Sequence, residues 1–363
     1  MSVTLYGAPP SLFSGKARAY LDWKGVEYIE KLPSDPRFQS DIVPQIGRQV
    51  IPVVELNDGS LLQDTSLIID HFEQADSHTP SVYPQTARQR LAALLLEAYG
   101  DEWLVIPAMH YRWHYNEEWI YGEFGKTALP DAPPDEQYAA GKARGAMFKG
   151  FVPMLGINPQ TIPAIEISYE ALLGELDAHF AKHPYLFGTR PSIGDYGLIG
   201  PLYAHNYRDP KSGEIMRKLA PNVAQWVERM IAPEPLTGAF LPDDNVQETA
   251  IKVLARMMRE QIPHLERVAD MLGTWAADNP GADLPRALRT APFTIEGVTG
   301  ERAALPFSLW MLQRSLDYLR TISAEDRAQC EAMLKDCGGD ALLSFEMPVR
   351  LVMENHVLKV AGG

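Results

Sequence analysis

Residues 48–73 decide the fold, and they read RQVIPVVELNDGSLLQDTSLIIDHFE. The first half is rich in β-branched and aliphatic residues, and the Asn-Asp-Gly at residues 57–59 is a strong signal for a tight hairpin turn. The Asp-Thr-Ser at residues 64–66 can cap a helix whose apolar positions recur at helical spacing. Pro52 has no N–H to donate to a sheet, so we expect it at the start of its strand, where the chain bends. The stretch therefore predicts strand, turn, strand and helix in succession.

The residues ahead of this stretch extend it into an α/β unit. Residues 3–6 and 28–32 have the composition of strands, and a helix is predicted from about residue 14 to a stop at Gly25. The resulting order is strand, helix, strand, hairpin and helix, over about 80 residues. By composition alone, such a unit suits several α/β folds.

Composition and charge exclude several classes of function. The chain has 363 residues, which is enough for two domains. Its 47 acidic and 33 basic residues give a net charge of −14, which argues against nucleic acid or an anionic membrane as the main partner. No apolar run approaches the ~20 residues of a membrane span, and the opening residues do not resemble a signal peptide. We therefore expect a cytoplasmic protein.

The two cysteines do not indicate a disulfide framework or a redox site. Cys330 and Cys337 are too few for a disulfide scaffold, and their spacing fits neither a zinc ribbon nor a C-x-x-C pair.

Helical periodicity dominates after a linker predicted at residues 77–84. Residues 88–116 form a long and unusually aromatic helical pattern, which Pro107 is expected to kink or break. Ser192 and Asp195 form a capping box that opens a buried helix. Further helices are predicted at residues 137–155, 163–181 and 222–231.

The last 120 or so residues are predicted to be mainly helical as well. Helices are expected at residues 247–277 and 305–321 and after a capping Ser323, and hairpins at residues 293–304 and 349–360. The helix at 305–321 has an apolar face made by Trp310, Leu312, Leu316 and Leu319. We expect this face to pack on the preceding helical domain.

Three of these segments together resemble the cytosolic glutathione transferases. The family pattern of valine-proline, hairpin, and acidic and hydroxyl residues opening a helix is matched by Ile51-Pro52-Val53 and Asp64-Thr65. Ser11 occupies the serine position of the serine-type classes, such as theta and zeta, and the Ser192-x-x-Asp195 box matches the family's helical domain. The resemblance implies a thioredoxin-like α/β domain at residues 1–80, an all-helical domain at 85–240, and a mainly helical extension at 241–363 packed on the helical domain.

The resemblance also implies a glutathione site. Ser11 would donate a hydrogen bond to the sulfur of glutathione and hold it as the thiolate. Ser14 is the rival, although its position favours a role as the cap of the first helix. A cis bond is expected before Pro52, with the backbone of Val53 pairing with the cysteinyl backbone of glutathione. The other implied contacts are Asp64 and Thr65 to the γ-glutamyl end, Arg48 and Gln49 to the glycyl carboxylate, and Ile51. A solvated surface role is an equal alternative for Arg48 and Gln49, and a role as helix caps is the alternative for Asp64 and Thr65.

An aromatic group on the long helical pattern is the candidate pocket for a second substrate. In the family that this chain resembles, the helix at this place lines the co-substrate pocket, which would include Trp103, His110, Tyr111 and Tyr115. Core packing is the alternative role for such residues. His110 and His114 have the spacing of a metal-binding pair, but no third ligand is evident, so no metal site is expected.

The function that follows from the resemblance is attack of bound glutathione thiolate on a small apolar electrophile. Addition, substitution and isomerisation all remain open. The alternative is a binding or interaction module of the same fold that performs no turnover. The resemblance implies a homodimer, with no nucleic acid or membrane as partner.

Overall fold

The computed structural model describes residues 3–76, 79–232 and 238–362. The first two residues of the linker predicted at 77–84 lie outside these ranges. Within these ranges the strands are β1 Val3–Tyr6, β2 Tyr28–Lys31, β3 Val53–Glu55, β4 Leu61–Gln63, β5 Thr290–Ile295, β6 Val298–Ala303, β7 Leu351–Glu354 and β8 Val357–Val360. The helices are α1 Leu12–Lys24, α2 Val43–Ile46, α3 Thr65–Ala75, α4 Ala87–Glu102, α5 Val105–Tyr115, α6 Glu117–Ala128, α7 Pro134–Lys149, α8 Ile162–Phe180, α9 Ile193–Ala204, α10 Pro210–Leu219, α11 Pro221–Ile231, α12 Glu248–Glu260, α13 Ile262–Asp278, α14 Pro306–Thr321, α15 Ala324–Asp336 and α16 Asp340–Leu343.

The first four strands form one sheet in the order β2-β1-β3-β4. β1 runs parallel to β2 and antiparallel to β3, and β3 pairs antiparallel with β4 through the predicted hairpin. Gly59 in that hairpin has φ +85°, a conformation that only glycine adopts readily. β3 begins directly after Pro52, and the Ile51–Pro52 peptide bond is cis. The sheet and its helices confirm the thioredoxin-like α/β fold.

The first helix begins two residues earlier than the sequence indicated. Ser11, with extended backbone angles of φ −86° and ψ 124°, is the N-cap, and its Oγ accepts a hydrogen bond from the Ser14 N–H at 3.2 Å. The prediction that Ser14 caps this helix is therefore wrong, because Ser14 already lies inside the first turn and is fully buried. The helix ends, as predicted, at Gly25 in the left-handed conformation.

The chain divides into two compact units. One comprises residues 1–82, 108–151 and 199–237, and the other comprises residues 83–107, 152–198 and 238–363. In the first unit an apolar cluster under the sheet is formed by Tyr6, Phe38, Ile42, Ile46 and Val53. Also in this unit, α1 contacts α3 and α11.

The helical pattern at residues 88–116 breaks ahead of Pro107, as its presence led us to expect. α4 ends at Glu102 and α5 starts at Val105. The sequence did not indicate α10, because the segment Pro210–Leu219 is mostly polar and its few apolar residues give no long periodic pattern.

The second unit contains the Ser192 capping box and most of the C-terminal region. The Asp195 carboxylate accepts hydrogen bonds from the Ser192 N–H and hydroxyl, both at 2.8 Å, which confirms the predicted box. The predicted helix at 247–277 is divided at Gln261 into α12 and α13, since Pro263 falls in the first turn of α13. The two predicted hairpins are present as β5–β6 and β7–β8.

The helix α4 lies at the centre of this second unit. It contacts α12, α14 and α15. The apolar residues Trp310, Leu312, Leu316 and Leu319 of α14 are all buried. Across the described ranges, none of the helices combines the length and apolarity needed to cross a membrane.

Candidate functional site

The register of the sheet brings three loop segments to one end. Tyr6 at the end of β1 pairs with Val53 at the start of β3, and Val53 pairs with Gln63 at the end of β4. The loop leading to Ser11, the cis-proline bend and the N-terminus of α3 therefore all leave the sheet from this same row of residues. This end of the sheet is the candidate functional site.

Ser11 and Ser14 differ in how accessible their hydroxyl groups are. Ser11 is partly exposed, and its Oγ accepts from the Ser14 N–H, so its own hydroxyl hydrogen can still be donated. Ser14 is 0% exposed, and its Oγ accepts from the Ala8 N–H at 3.3 Å. Of these two hydroxyls, Ser11 is therefore the one that a ligand in solvent can reach.

A third hydroxyl near the loop, that of Tyr6, belongs to the core. The ring of Tyr6 is fully buried against Phe38, with their centroids 5.3 Å apart. Burial and a hydrogen bond to Glu55 raise the pKa of Tyr6 to about 12. Tyr6 is thus a neutral structural phenol at all physiological pH values.

At the cis-proline bend, the residue whose backbone lies outside the sheet is Ile51 and not the predicted Val53. Val53 has β1 on one side and β4 on the other, so its backbone lies within the ladder and cannot pair with a ligand strand. This corrects the role given to Val53. Ile51 precedes Pro52, lies outside the paired residues of β3 and is partly exposed. Its backbone is the one placed for such pairing.

The N-terminus of α3 is capped by Asp64. The Asp64 carboxylate accepts from the Ser66 N–H at 2.9 Å and the Leu67 N–H at 3.4 Å, and its backbone has φ +83°. Thr65 is buried. Asp64 therefore has a structural task whatever ligand contact it makes.

The two polar residues before the bend differ in their surroundings. The Arg48 Nη2 atom donates to Gln63 Oε1 at 2.7 Å, which holds the guanidinium beside the end of β4. Gln49 is exposed. Arg48 thus supplies positive charge near this end of the sheet.

A buried arginine holds the loop before Ser11. Arg112 on α5 forms a two-point ion pair with Asp209, with both N···O distances 2.7 Å. It also donates to the carbonyl oxygens of Pro10 and Ala204, each at 2.7 Å. Sequence reasoning missed this group, because nothing in a single sequence links residues 97 positions apart.

The charges around Arg112 leave one neighbouring histidine neutral. Burial lowers the pKa of His205 well below its ordinary value, and the Arg112 and Arg208 guanidiniums lower it further. His205 therefore carries no charge near neutral pH, and it adds no repulsion to the Arg112 guanidinium.

Three of the four predicted pocket residues lie together on α5. Ring centroids of His110 and Tyr111 are 5.0 Å apart, those of His110 and Tyr115 are 5.7 Å apart, and Tyr111 stacks on Tyr115 at 5.6 Å. Tyr115 is 50% exposed and Tyr111 is buried beneath it. The cluster offers one open aromatic surface in the unit that contains Ser11.

Trp103, the fourth predicted pocket residue, lies in the core of the second unit. It is 1% exposed, its indole N–H donates to Glu260 at 3.1 Å, and the Arg302 guanidinium lies 4.9 Å from its ring centroid. A role in a pocket is thus wrong for this side chain, because its polar atom and its ring face are both taken up by core contacts.

The histidine pair on α5 does not extend into a metal site. His110 Nδ1 lies 3.2 Å from His114 Nδ1. Within residues 3–76, 79–232 and 238–362, no group of three or more His, Cys, Asp or Glu side chains is arranged to hold a metal ion.

Comparison with known families matches two segments of the chain. Residues 5–80 match the family model for the glutathione S-transferase N-terminal domain. Residues 159–229 match the model for the glutathione S-transferase C-terminal domain. A search of curated protein sequences found no significant match.

Similar solved structures include three of bacterial or fungal origin. The β-etherase LigF from Sphingobium sp. strain SYK-6 is 19% identical with a TM-score of 0.46, over 64% of this chain and 96% of that one. A glutathione S-transferase from Rhodospirillum rubrum F11 is 16% identical with a TM-score of 0.41, over 68% and 97%. Glutathione transferase GSTFuA3 from Phanerochaete chrysosporium is 18% identical with a TM-score of 0.43, over 65% and 99%.

The two matched domains follow one another in the order of that family, and the first coincides with the thioredoxin-like sheet described above. Residues 5–80 and 159–229 are therefore glutathione S-transferase N- and C-terminal domains.

Proposed function

We propose that this protein is a glutathione transferase that binds glutathione at the end of the sheet and holds its sulfur as a thiolate through Ser11. The observation that carries the proposal is the Ser11 hydroxyl, which is partly exposed at the N-terminus of a 13-residue helix, whereas Ser14 is fully buried. An anion placed at a helix N-terminus is stabilised by the helix dipole. The bound sulfur, rather than the serine, is the nucleophile.

The magnitudes permit this role without a general base. A free thiol has a pKa of about 8.5, and lowering it by about two units requires ~2.7 kcal/mol. A hydrogen bond to a charged group supplies ~1.5–3 kcal/mol. A helix N-terminus adds ~0.3–1 kcal/mol. One hydroxyl donor at the start of α1 is therefore sufficient.

The rest of the site suits the remainder of glutathione. In our proposal the backbone of Ile51, which is outside the ladder, pairs with the cysteinyl backbone as an added strand would. The N-terminus of α3 at Asp64 and Thr65 receives the γ-glutamyl end, and Arg48 with Gln49 binds the glycyl carboxylate. The positive charge of Arg48 beside Gln63 favours an anionic ligand here.

The second substrate in this proposal is a small apolar electrophile bound against the aromatic cluster of α5. Tyr115, with His110 and Tyr111 beneath it, offers an apolar face with polar edges. Which of addition, substitution or isomerisation follows is the question that a substrate panel answers. We propose further that the protein acts in the cytoplasm as a homodimer, which sedimentation at micromolar concentration would test.

Turnover of glutathione with a panel of halogenated aromatic and epoxide electrophiles tests the proposal. We expect the wild-type protein to turn over at least one class, and Ser11→Ala to lose most of that activity below pH 7. Tight binding of glutathione with no turnover on any class would contradict it. That result would favour a binding module of the same fold.

A further inference from the structure

Arg112 is more extensively bonded than a simple ion pair requires. The side chain is 2% exposed, and its partner Asp209 is 0% exposed. Its guanidinium donates four short hydrogen bonds, two to Asp209, one to the Pro10 carbonyl and one to the Ala204 carbonyl, all at 2.7 Å. The bonds to a charged donor are stronger than those between neutral groups. They join α5 to the loop before α1, to the end of α9 and to the residue before α10.

The Pro10 carbonyl is the contact that matters for the candidate site. A peptide group is planar, so the Pro10 oxygen and the Ser11 nitrogen and Cα lie in one plane. At the other edge of that plane the Ser11 N–H donates to the Ala8 carbonyl at 3.0 Å. Arg112 fixes the carbonyl edge from α5. The orientation of the plane, and with it the position of the Ser11 nitrogen and Cα from which the side chain projects, is therefore fixed from both edges.

We infer that Arg112 is a positioning residue that aims the Ser11 hydroxyl through the Pro10 carbonyl. This inference rests on the proposed role of Ser11 toward the glutathione sulfur. Arginine is required by the geometry, since its planar fork directs donors to several acceptors at once. The ammonium of lysine is a single point and cannot hold Asp209, Pro10 and Ala204 together in the same directions.

The test compares Arg112→Lys with Arg256→Lys as a matched control. Arg256 in the second unit is also 2% exposed and is bonded to Glu175 at 2.8 Å, Glu260 at 3.0 Å and Glu296 at 2.9 Å. Both variants disturb a buried ion pair, so both are expected to unfold at a lower urea concentration. Only Arg112→Lys is expected to raise the pKa of the bound glutathione thiol, by roughly one unit.

The thiol pKa is read from the ultraviolet absorbance of the thiolate in the glutathione complex, titrated against pH. Where a substrate from the panel is turned over, Arg112→Lys is expected to lower kcat by about 10-fold or more, with little change in the KM for glutathione. A merely structural loss would reduce the amount of folded protein without moving the thiol pKa.

A second variant tests the inference if Arg112→Lys does not fold. In Arg112→Met/Asp209→Leu both charges are removed together, a change that buried pairs often tolerate. This double variant still lacks the bond to Pro10, so it too is expected to raise the thiol pKa.

Three results would overturn the inference. If both Arg112 variants keep the wild-type thiol pKa while Ser11→Ala raises it, Arg112 does not position Ser11, although the role of Ser11 stands. If Arg256→Lys shifts the pKa as much as Arg112→Lys, the effect is general destabilisation. If Ser11→Ala itself leaves the pKa unchanged, the proposed function fails and this inference fails with it.

Discussion

In our proposal the Ser11 hydroxyl has two tasks, and substitution can separate them. Its oxygen accepts from the Ser14 N–H and caps α1, whereas its hydrogen is free to be donated to the glutathione sulfur. Replacement by alanine removes both, and we expect it to lower the free energy of unfolding by about 1 kcal/mol. Replacement by aspartate keeps a good N-cap, so we expect stability close to wild type, but its negative charge would oppose a thiolate.

Urea unfolding of the two Ser11 variants, together with glutathione titration, measures the two tasks independently. Equal loss of stability in Ser11→Ala and Ser11→Asp would contradict the capping role. A Ser11→Asp protein with a wild-type thiol pKa would show that the hydroxyl is not what holds the sulfur.

Two buried histidines make the second unit sensitive to acid. Burial lowers the pKa of His179 and of His264 to about 4, below the ordinary value of 6.5. The unfolded chain binds protons at these sites near pH 6.5 and the folded chain does not. The contribution of these two histidines to the free energy of unfolding is therefore complete above pH 6.5. It decreases as the pH falls toward 4, by roughly 1.4 kcal/mol per pH unit for each histidine.

Unfolding free energies measured between pH 7 and 4.5 test this expectation. The His264 Nδ1–H donates to the Pro292 carbonyl oxygen, 3.1 Å away, and the side-chain amide of His264→Gln supplies an N–H donor in its place. We expect this variant to have a shallower pH slope than the wild type. An unchanged slope would show that His264 does not titrate as its burial implies.

At the scale of elements, α6 and α7 approach each other through glycine. A Cβ on Gly141 would lie 1.8 Å from the Tyr121 carbonyl oxygen, and one on Gly125 would lie 2.0 Å from that of Gln137. Since both contacts are with backbone, an alanine forces the helices apart, and we expect Gly141→Ala to cost about 1–3 kcal/mol. Gly122 on α6 has no atom within 4 Å of such a Cβ, so Gly122→Ala is the control.

Thermal or urea unfolding of the glycine variants provides the measurement. Alanine is favoured over glycine within a helix by about 0.5–1 kcal/mol, so the Gly122 variant is expected to be as stable as the wild type or more so. If Gly141→Ala were as stable as the wild type, the close backbone contact between α6 and α7 at Gly141 would be contradicted.

Most elements could be predicted because their signals are local. The turn at residues 57–59, the Ser192 box and the Gly25 stop each depend on neighbours in sequence, and each lies where expected. The cap of α1 could not be decided in the same way. Ser11 and Ser14 are both good caps, and only the packing of Ser14 against the Ala8 loop separates them.

The candidate site was predictable only as far as its local pattern reached. The bend at Pro52 was foreseen, but the pairing of Val53 on both sides depends on the strand order and moved its proposed role to Ile51. Trp103 resembled its aromatic neighbours on the sequence, and its burial against Glu260 is a tertiary contact. The bond from Arg112 to Pro10 is likewise made only by the fold.

At the scale of the whole molecule, the residues after 245 cover α4 in the second unit. α12, α14 and α15 all contact this helix, and Arg314 lies 3.6 Å from the buried carboxylate of Glu97. Truncation after residue 245 would expose the apolar face of α4 and leave Glu97 without that cation. We therefore expect the truncated chain to aggregate, as seen by light scattering beside the full-length protein. A soluble truncated protein of equal stability would show that the C-terminal region is an independent appendage.

The most direct test of the central claim is the thiol pKa of glutathione bound to the intact protein. Ultraviolet thiolate absorbance, titrated against pH, is expected to give a value one to two units below the ~8.5 of a free thiol. Ser11→Ala is expected to return the pKa toward the free value, and Ser14→Ala to leave it low. An unshifted pKa in the wild-type complex, or a low pKa that survives Ser11→Ala, would contradict the claim that Ser11 activates glutathione.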